Sequence, residues 1–445
     1  MNHALAAFFK FKELGTNVRT ELTAGATTYM TMAYIIFVQP AILSQAGMDQ
    51  GAVMMATCLA AAVASVLMGL WANYPIALAP GLGENFFFAF TVVIGMGVSW
   101  QAALACVFVS GVVFMLLTFF KIREMIIDSI PESLRAAIAG GIGLFIAFIG
   151  LTQAGIVQRP PSGIIELGDM HSAPVVLAIV TLLLTAVLMH YRIRGAILIG
   201  MIVSLVAALA LNMVNYEGIL SMPPSLEATF FQFDFGALLS GEMVVVIVVF
   251  LFMDLFDTTG TLVGVCQQAG LMKDGKLPRA SRALFSDAVG TTFGAVVGTC
   301  TVTSYIESAS GVQEGGRSGM TAIVAGLLFL LSVFIYPIVK MVGAGVPVSD
   351  ELTVFPITSP ALILVGSMML HNVKDIDWKN VLEAIPSFLV LLCIPLTFSI
   401  ADGLAFGFVS YPVLMLAAGK GKQVSPLIYI LGLMFVIRYA IFQIG

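Results

Sequence analysis

Apolar runs of about twenty residues follow one another from Thr20 to Gly419, and the charged side chains gather mostly in the gaps between them. A helix of that length crosses the hydrocarbon core of a bilayer. There every backbone N–H and C=O must be satisfied internally, which leaves only helices and closed barrels. The predicted fold is therefore an all-α polytopic membrane protein. Composition agrees: 59% of the 445 residues are hydrophobic and 10% are charged, against about 25% charged in soluble domains. With so few charges a soluble chain of this size could not cover its surface. Nucleic-acid binding needs a basic face, and no basic run exists to supply one.

About fourteen spans are legible. The first set runs Thr20–Ala46, Ala52–Trp71, Pro75–Met96, Trp100–Phe120, Ser133–Ala154, Pro174–His190 and Gly195–Asn212. The second runs Met243–Gln267, Ser281–Gly298, Thr299–Val312, Gly319–Val342, Phe355–Leu370, Glu383–Ile400 and Gly403–Gly419. A last apolar piece, Pro426–Ile444, either lies along the interface or crosses once more. With residues 1–19 in the cytoplasm, the inside loops hold Lys10, Lys12, Arg19, Lys121, Arg123, Arg135, Arg192, Arg194, Lys273, Lys276, Arg279, Arg282, Arg317, Lys374, Lys379, Lys420 and Lys422. That is 17 of the 20 Lys and Arg, leaving Arg159, Lys340 and Arg438. The outside loop Met213–Glu242 has none, as the positive-inside rule requires. No secretory signal pattern opens the chain, and the whole chain is expected in the mature protein.

Seven spans on each side of a linker at 213–242 must insert with opposite orientation, the inverted-repeat plan of many secondary transporters. The expected repeats are 20–212 and 243–419, followed by a C-terminal segment at 420–445. Weak internal similarity supports this: Arg194–Leu205 resembles Asp402–Leu414, and Ala56–Gly69 resembles Ala283–Gly298. The third and tenth segments are both interrupted. Pro75-Ile-Ala-Leu-Ala-Pro80-Gly-Leu-Gly83 cannot be continuous helix, because Pro80 removes a donor and glycines are poor helix formers. Thr299–Tyr305 is rich in β-branched residues. Each reads as a short extended strand followed by a half-helix, from Glu84 and near Ile306–Val312 respectively. Extended backbone at membrane depth is tolerated only when buried in protein or lining a cavity. Matched breaks therefore point to a central binding site; ordinary Gly/Pro kinks are the alternative.

Asp254, Asp257, Asp287, Glu307 and Glu84 fall within or at the edges of spans, with no Lys or Arg inside those segments. Intramembrane carboxylates mark pathways, proton relays or ion sites. Some must be protonated, bind a cation or bond a polar solute. Asp254, Asp257 and Thr261 stand at i, i+3 and i+7 and are expected on one helix face, with Thr258 adding a hydroxyl. Asp254 and Asp287 have a packing bond as the alternative role, and Glu84 has capping of its half-helix. Glycines Gly140, Gly141, Gly143 and Gly150 read as close helix packing. The four histidines sit at termini or loop edges, and the five cysteines stand singly in apolar runs, read as small packing residues. No metal cluster, nucleophile–base pair or phosphate loop is present, so no enzyme reading has support.

Several motifs in fixed order resemble the nucleobase:cation symporter family 2, in its azaguanine-permease-like purine branch. They are GTNVRTELTAGATTYMTMAYIIFVQP (Gly15–Pro40), ALAPGLGENFFFAF (Ala77–Phe90), IPESLRAAIAGGIGLFIAFIGLTQAGIV (Ile130–Val157), DLFDTTGTLVGV (Asp254–Val265), SDAVGTTFGAVVGT (Ser286–Thr299), TSYIESASGV (Thr303–Val312) and EGGRSGMTA (Glu314–Ala322). The resemblance implies a substrate-carrying core from the first four spans of each half (20–120 and 243–342). It implies a gate from the last three (133–212 and 355–419), and a homodimer. It places Asp257 at the substrate-binding carboxylate, Glu307 at the tenth-segment Glu, and Asp287 at a ninth-helix Asp linked to coupling. Thr261 replaces an Asp of the family pattern, Gln39 an Asn, and Glu84-Asn85-Phe86 a Leu-Asn-Ala.

Candidate substrate contacts are thus Asp257, Glu307, Tyr305, Thr258, Phe86, Asn85 and Thr28, with Phe86 or Tyr305 covering a ring face. Candidate proton-coupling groups are Asp287, Asp257, Glu307, Asp254 and Glu84. The expected function is proton-driven import of a purine nucleobase such as guanine, hypoxanthine or adenine, with no cofactor beyond H+. The expected location is the cell's inner or plasma membrane. Alternatives are a uracil/xanthine-type symporter, an anion exchanger of the same fold, or a passive channel.

Overall fold

The computed structural model describes residues 2–120, 129–158, 165–272, 277–348 and 352–441. Lys121, Arg123, Arg159, Lys273 and Lys276, counted above for topology, lie outside these residues, as does the chain end past 441.

After two short helices (Asn2–Phe8, Phe11–Leu14), the first span is α1 (Val18–Met32) and α2 (Ile35–Gln45). It was expected as one helix and is broken at Ala33–Tyr34, where the turn tightens (Phe37 N to Tyr34 O, 3.1 Å). Pro40 has no N–H to give the carbonyl four residues back, and its ring crowds that turn. Next come α3 (Gln50–Leu67), β1 (Leu78–Pro80), α4 (Leu82–Phe86) with a π-helical continuation to Gly95, α5 (Trp100–Phe119), α6 (Glu132–Gln153), α7 (Ala173–His190) and α8 (Ala196–Ala210). The second half has α9 (Gly241–Gln268), α10 (Ala280–Val297), β2 (Val302–Ser304), α11 (Ser308–Gln313), α12 (Gly319–Leu331) and α13 (Tyr336–Val342). It ends with α14 (Ser359–Met369), α15 (Val381–Thr397), α16 (Ile400–Ala417) and α17 (Pro426–Ile441). The thirteenth span was expected to reach Ile400; it stops at Thr397. Phe398 takes a left-handed φ of 53°, and the Ser399 side chain caps α16 by accepting from Asp402 N.

Packing repeats in pairs, as a twofold axis in the membrane plane demands. Helix α5 packs on α10 as α3 packs on α12; α1 packs on α12 as α9 packs on α5; α7 packs on α8 as α15 packs on α16. On the axis, β1 and β2 pair antiparallel, with Leu78 opposite Ser304 and Pro80 opposite Val302. Helices α1–α5 and α9–α12 pack mainly among themselves, while α6, α14, α15 and α16 form a second set with α7 and α8. The glycines of α6 let this second set close up: Gly143 faces Met369 and the Gly366 carbonyl, and Gly150 faces Ile363. The linker after α8 lies over the ends of α5 and α10, where Asp234 N meets Gln101 O (3.2 Å) and Phe231 N meets Val296 O (2.8 Å).

The C-terminal segment is a helix laid antiparallel along all of α16. Tyr429 donates to Gly421 O at one end (3.0 Å), the Phe435 and Phe408 rings stack at 6.3 Å in the middle, and Arg438 and Tyr439 bond Asp402 at the other (3.3 and 2.6 Å). Its other face exposes Ile430, Leu433 and Ile437, which suits contact with lipid. Arg438, one of the three basic residues unplaced by topology, is thereby paired and buried.

Candidate functional site

Where the two strands cross, the half-helices diverge and leave a cavity of about 90 Å³, several times the roughly 10–15 Å³ one water requires. The first break contributes Gly81–Gly83, the second Thr303–Glu307, α9 Asp257 and Thr261, and the kinked first span Tyr34. Val365 and Met369 of α14 close it from the second helix set. Backbone bonds hold the crossing rigid: Gly81 N to Thr301 O (2.9 Å) and Tyr305 N to Ala77 O (3.0 Å). The Tyr305 hydroxyl donates to the Pro80 carbonyl (2.5 Å).

The acids fall in two tiers. Asp257 is exposed at the cavity mouth, and Glu307 accepts the Tyr34 hydroxyl at 2.7 Å. Behind β2 lie Asp254 and Asp287, both buried. Thr258 donates to Asp287 at 2.6 Å and receives Ser304 N at 3.3 Å; Thr291 lies 3.2 Å from Asp254 and accepts Val302 N. Threonine hydroxyls thus tie the rear acids to the strand that carries the cavity wall. This corrects the expected single face on α9: Asp257 pairs with Thr261 toward the cavity, whereas Asp254 and Thr258 turn behind the strand. At 100° per residue, positions three apart differ by about 60°, which at the edge of a contact is enough to part them.

Glu84 is buried in the first turn of α4, with its carboxyl against Gly81; its Oε2 has no hydrogen-bond partner among the described residues. Ion pairs among the described residues join Lys10 to Glu13, Arg194 to Glu314, Lys340 to Glu217 and Arg438 to Asp402. None engages Asp257, Glu307 or Glu84. Among the described residues the Ser304 hydroxyl also lacks a partner, and the Thr303 hydroxyl has none but the neighbouring Asp257. The cavity therefore combines carboxylates without cations and hydroxyls with unmet hydrogen-bonding capacity.

Of the residues named from sequence, Asp257, Glu307 and Tyr305 line this cavity. Asn85 accepts instead from Gln39 (2.9 Å), which also donates to Thr299 (3.0 Å), so the departure at Gln39 bonds an asparagine that keeps the family pattern. Phe86 stacks on Phe90, and Thr28 packs against Gly311 of α11. Neither ring nor hydroxyl is part of the cavity wall. Sequence reasoning missed Tyr34, which the Pro40 kink could have signalled, and Val365 and Met369, which stand in an ordinary apolar run with no signal. It also missed Glu21, a buried carboxylate that caps the start of α12.

Inverted seven-span halves around a polar cavity at crossed breaks define a membrane transporter. The profile of the Permease family (Xan_ur_permease) matches residues 19–406. The chain is 46% identical to the guanine/hypoxanthine permease PbuG of Bacillus subtilis over 98% of this chain and 99% of that one. It is 41% identical to the adenine permease AdeP of Escherichia coli over 98% and 95%. Among solved structures, the transmembrane domain of the cyanobacterial bicarbonate transporter BicA superposes with a TM-score of 0.62 at 14% identity, over 86% of this chain and 97% of that one; this likeness is one of fold. The chain belongs to the nucleobase permease family, in its purine branch, and is a transporter and not an enzyme.

Proposed function

We propose that the chain imports purine nucleobases by proton symport through alternating access. One observation carries this reading: Asp257 and Glu307, without basic partners, share a cavity with the hydroxyls of Thr303 and Ser304. A purine edge alternates N–H donors with ring-nitrogen acceptors. Carboxylates accept the donors, and hydroxyls serve either kind. Tyr34 and Tyr305 offer ring faces on one side, and Met369 offers a polarisable thioether on the other. Because Met369 belongs to the second helix set, movement between the sets completes or opens the pocket. A proton on one carboxyl removes a charge that no cation compensates when the cavity closes over it, which links protonation to occupancy. The names of the relatives, guanine/hypoxanthine and adenine permeases, agree with a purine substrate. We place the protein in the cell's inner or plasma membrane with its N-terminus inside, and, from the resemblance, as a homodimer.

Uptake of labelled guanine, hypoxanthine and adenine by cells expressing the chain tests this. The expected result is mutual competition among purines but not by uracil, stimulation by acid outside, and abolition by an uncoupler. D257N and E307Q should each lower uptake about tenfold or more, since a hydrogen bond to a charged group is worth about 1.5–3 kcal/mol. Unchanged uptake in both variants refutes the site; uptake indifferent to the uncoupler leaves a passive channel.

A further inference from the structure

A chain of aromatic rings crosses from one helix set to the other on the linker side of the cavity. Phe86 stacks on Phe90 (5.5 Å) and meets Phe145 of α6 edge-on (6.3 Å); Phe145 meets Phe398 (6.0 Å), and Phe148 also packs on Phe398 (5.4 Å). Phe86 and Phe145 are fully buried. The Thr91 hydroxyl, on the π-helical continuation of α4, donates to the Phe398 carbonyl at 3.2 Å, a polar bond between the two sets. That continuation leads into α5, whose first turn is bonded by the linker, which fixes the side on which the rings lie.

Phe398 holds the left-handed conformation noted above, which a bulky side chain rarely adopts. Strain of this kind persists where surrounding contacts over-determine it and clusters at switching regions. Here the contacts are the two ring packings and the Thr91 bond. All are neutral, so they can separate without leaving a charge buried alone. A π-helical stretch is itself frequent at functional sites.

The opposite side of the cavity is open. Along α9, the face that continues from Asp257 through Gly260, Gly264 and Gln267 is exposed, and no atom lies within 4 Å of where a Gly260 side chain would begin. Ile306, in the cavity wall, is 48% exposed. The exposed face of α9 thus runs from the cavity away from the linker, and the ring chain lies between the helix sets on the linker side.

We propose that the Phe86–Phe145–Phe398 chain, latched by Thr91 to the strained Phe398 carbonyl, is the gate on the linker side, closed in this conformation. Separation of Phe86 from Phe145 and release of Phe398 open the cavity to that side. This rests on the alternating-access reading, but its test uses no substrate and so fails or holds independently of the purine assignment.

The test is thiol accessibility in full-length protein. I306C is placed in a C393S background, since Cys393 is the one native cysteine that is not buried. A membrane-impermeant maleimide is applied to right-side-out and inside-out vesicles. We expect fast labelling from the side opposite the linker and slow labelling from the linker side. Adding F145A should raise linker-side labelling about tenfold, the scale of one or two lost aromatic contacts. F398G, which removes the ring while suiting the backbone, should act likewise and serves where F145A does not fold. Retained labelling from the opposite side shows that the fold is intact. The proposal is overturned if linker-side labelling is already fast without the substitutions. It is also overturned if neither variant changes it while opposite-side labelling persists.

Discussion

Replacing Glu21 by alanine should damage both the fold and the site, although Glu21 lies outside the cavity. Its carboxylate, fully buried in α1, receives Arg317 N (2.9 Å), Ser318 N (3.2 Å), Thr321 N (3.2 Å), Thr321 Oγ1 (2.6 Å) and Thr16 Oγ1 (2.8 Å). An anion at the start of α12 satisfies N–H groups that no helical carbonyl can reach. The same loop carries Arg317, whose guanidinium bonds the Val312 and Gly316 carbonyls at the end of α11 (2.6 and 2.7 Å). Glu21 therefore steadies the half-helix that begins at Glu307. In E21A the two hydroxyls can rotate to new acceptors, but three N–H groups are stranded at about 1–3 kcal/mol each. Partial hydration near Thr16 brings the loss to about 3–5 kcal/mol, as for other broken buried charge networks. That lowers the folded-to-unfolded ratio about a hundred- to several-thousand-fold. Denaturant titration of the purified protein in mild detergent measures it, with E21Q, which keeps one acceptor, falling between. E21A within about 1 kcal/mol of the parent would show that the cap is not what holds the loop.

Other substitutions separate packing from chemistry. G319A drives a methyl into the Gly69 carbonyl, backbone that cannot yield, and should cost at least about 1–3 kcal/mol; G260A meets nothing and should be neutral to about 1 kcal/mol stabilising, both read by the same titration. Y34F removes the donor to Glu307 and should raise the KM for purine uptake about tenfold with normal membrane levels; an unchanged KM counts against Glu307 as a ligand. R438M leaves Asp402 with only the Tyr439 hydroxyl and should destabilise by about 1–3 kcal/mol, partly restored by adding D402N in a double-mutant cycle.

Most spans and the two breaks were legible because each follows from local chemistry. Apolar length sets the helices, Pro80 with Gly81 and Gly83 stops one, and β-branched residues around Val302 favour a strand. Even so, the extended piece expected at Thr299–Tyr305 shortened to Val302–Ser304, since strand length is set by its partner and β1 offers three residues. Asp257 and Glu307 stood out because lipid makes any unpaired carboxylate conspicuous. Val365 and Met369 did not, because an apolar residue facing a cavity looks in sequence like one facing lipid.

The chain by itself thus determined that it is an inverted repeat of about fourteen segments with acids at matched breaks, since hydrophobic length, backbone donors and charge are properties of a segment alone. Only the tertiary structure decided which acids face the cavity and which are tied behind β2 by Thr258 and Thr291. It alone turned Phe86 from a ring beside the ligand into one packed between helix sets. Those outcomes depend on rotations of about 60° and on neighbours tens of residues away in sequence, and neither is encoded in local spacing.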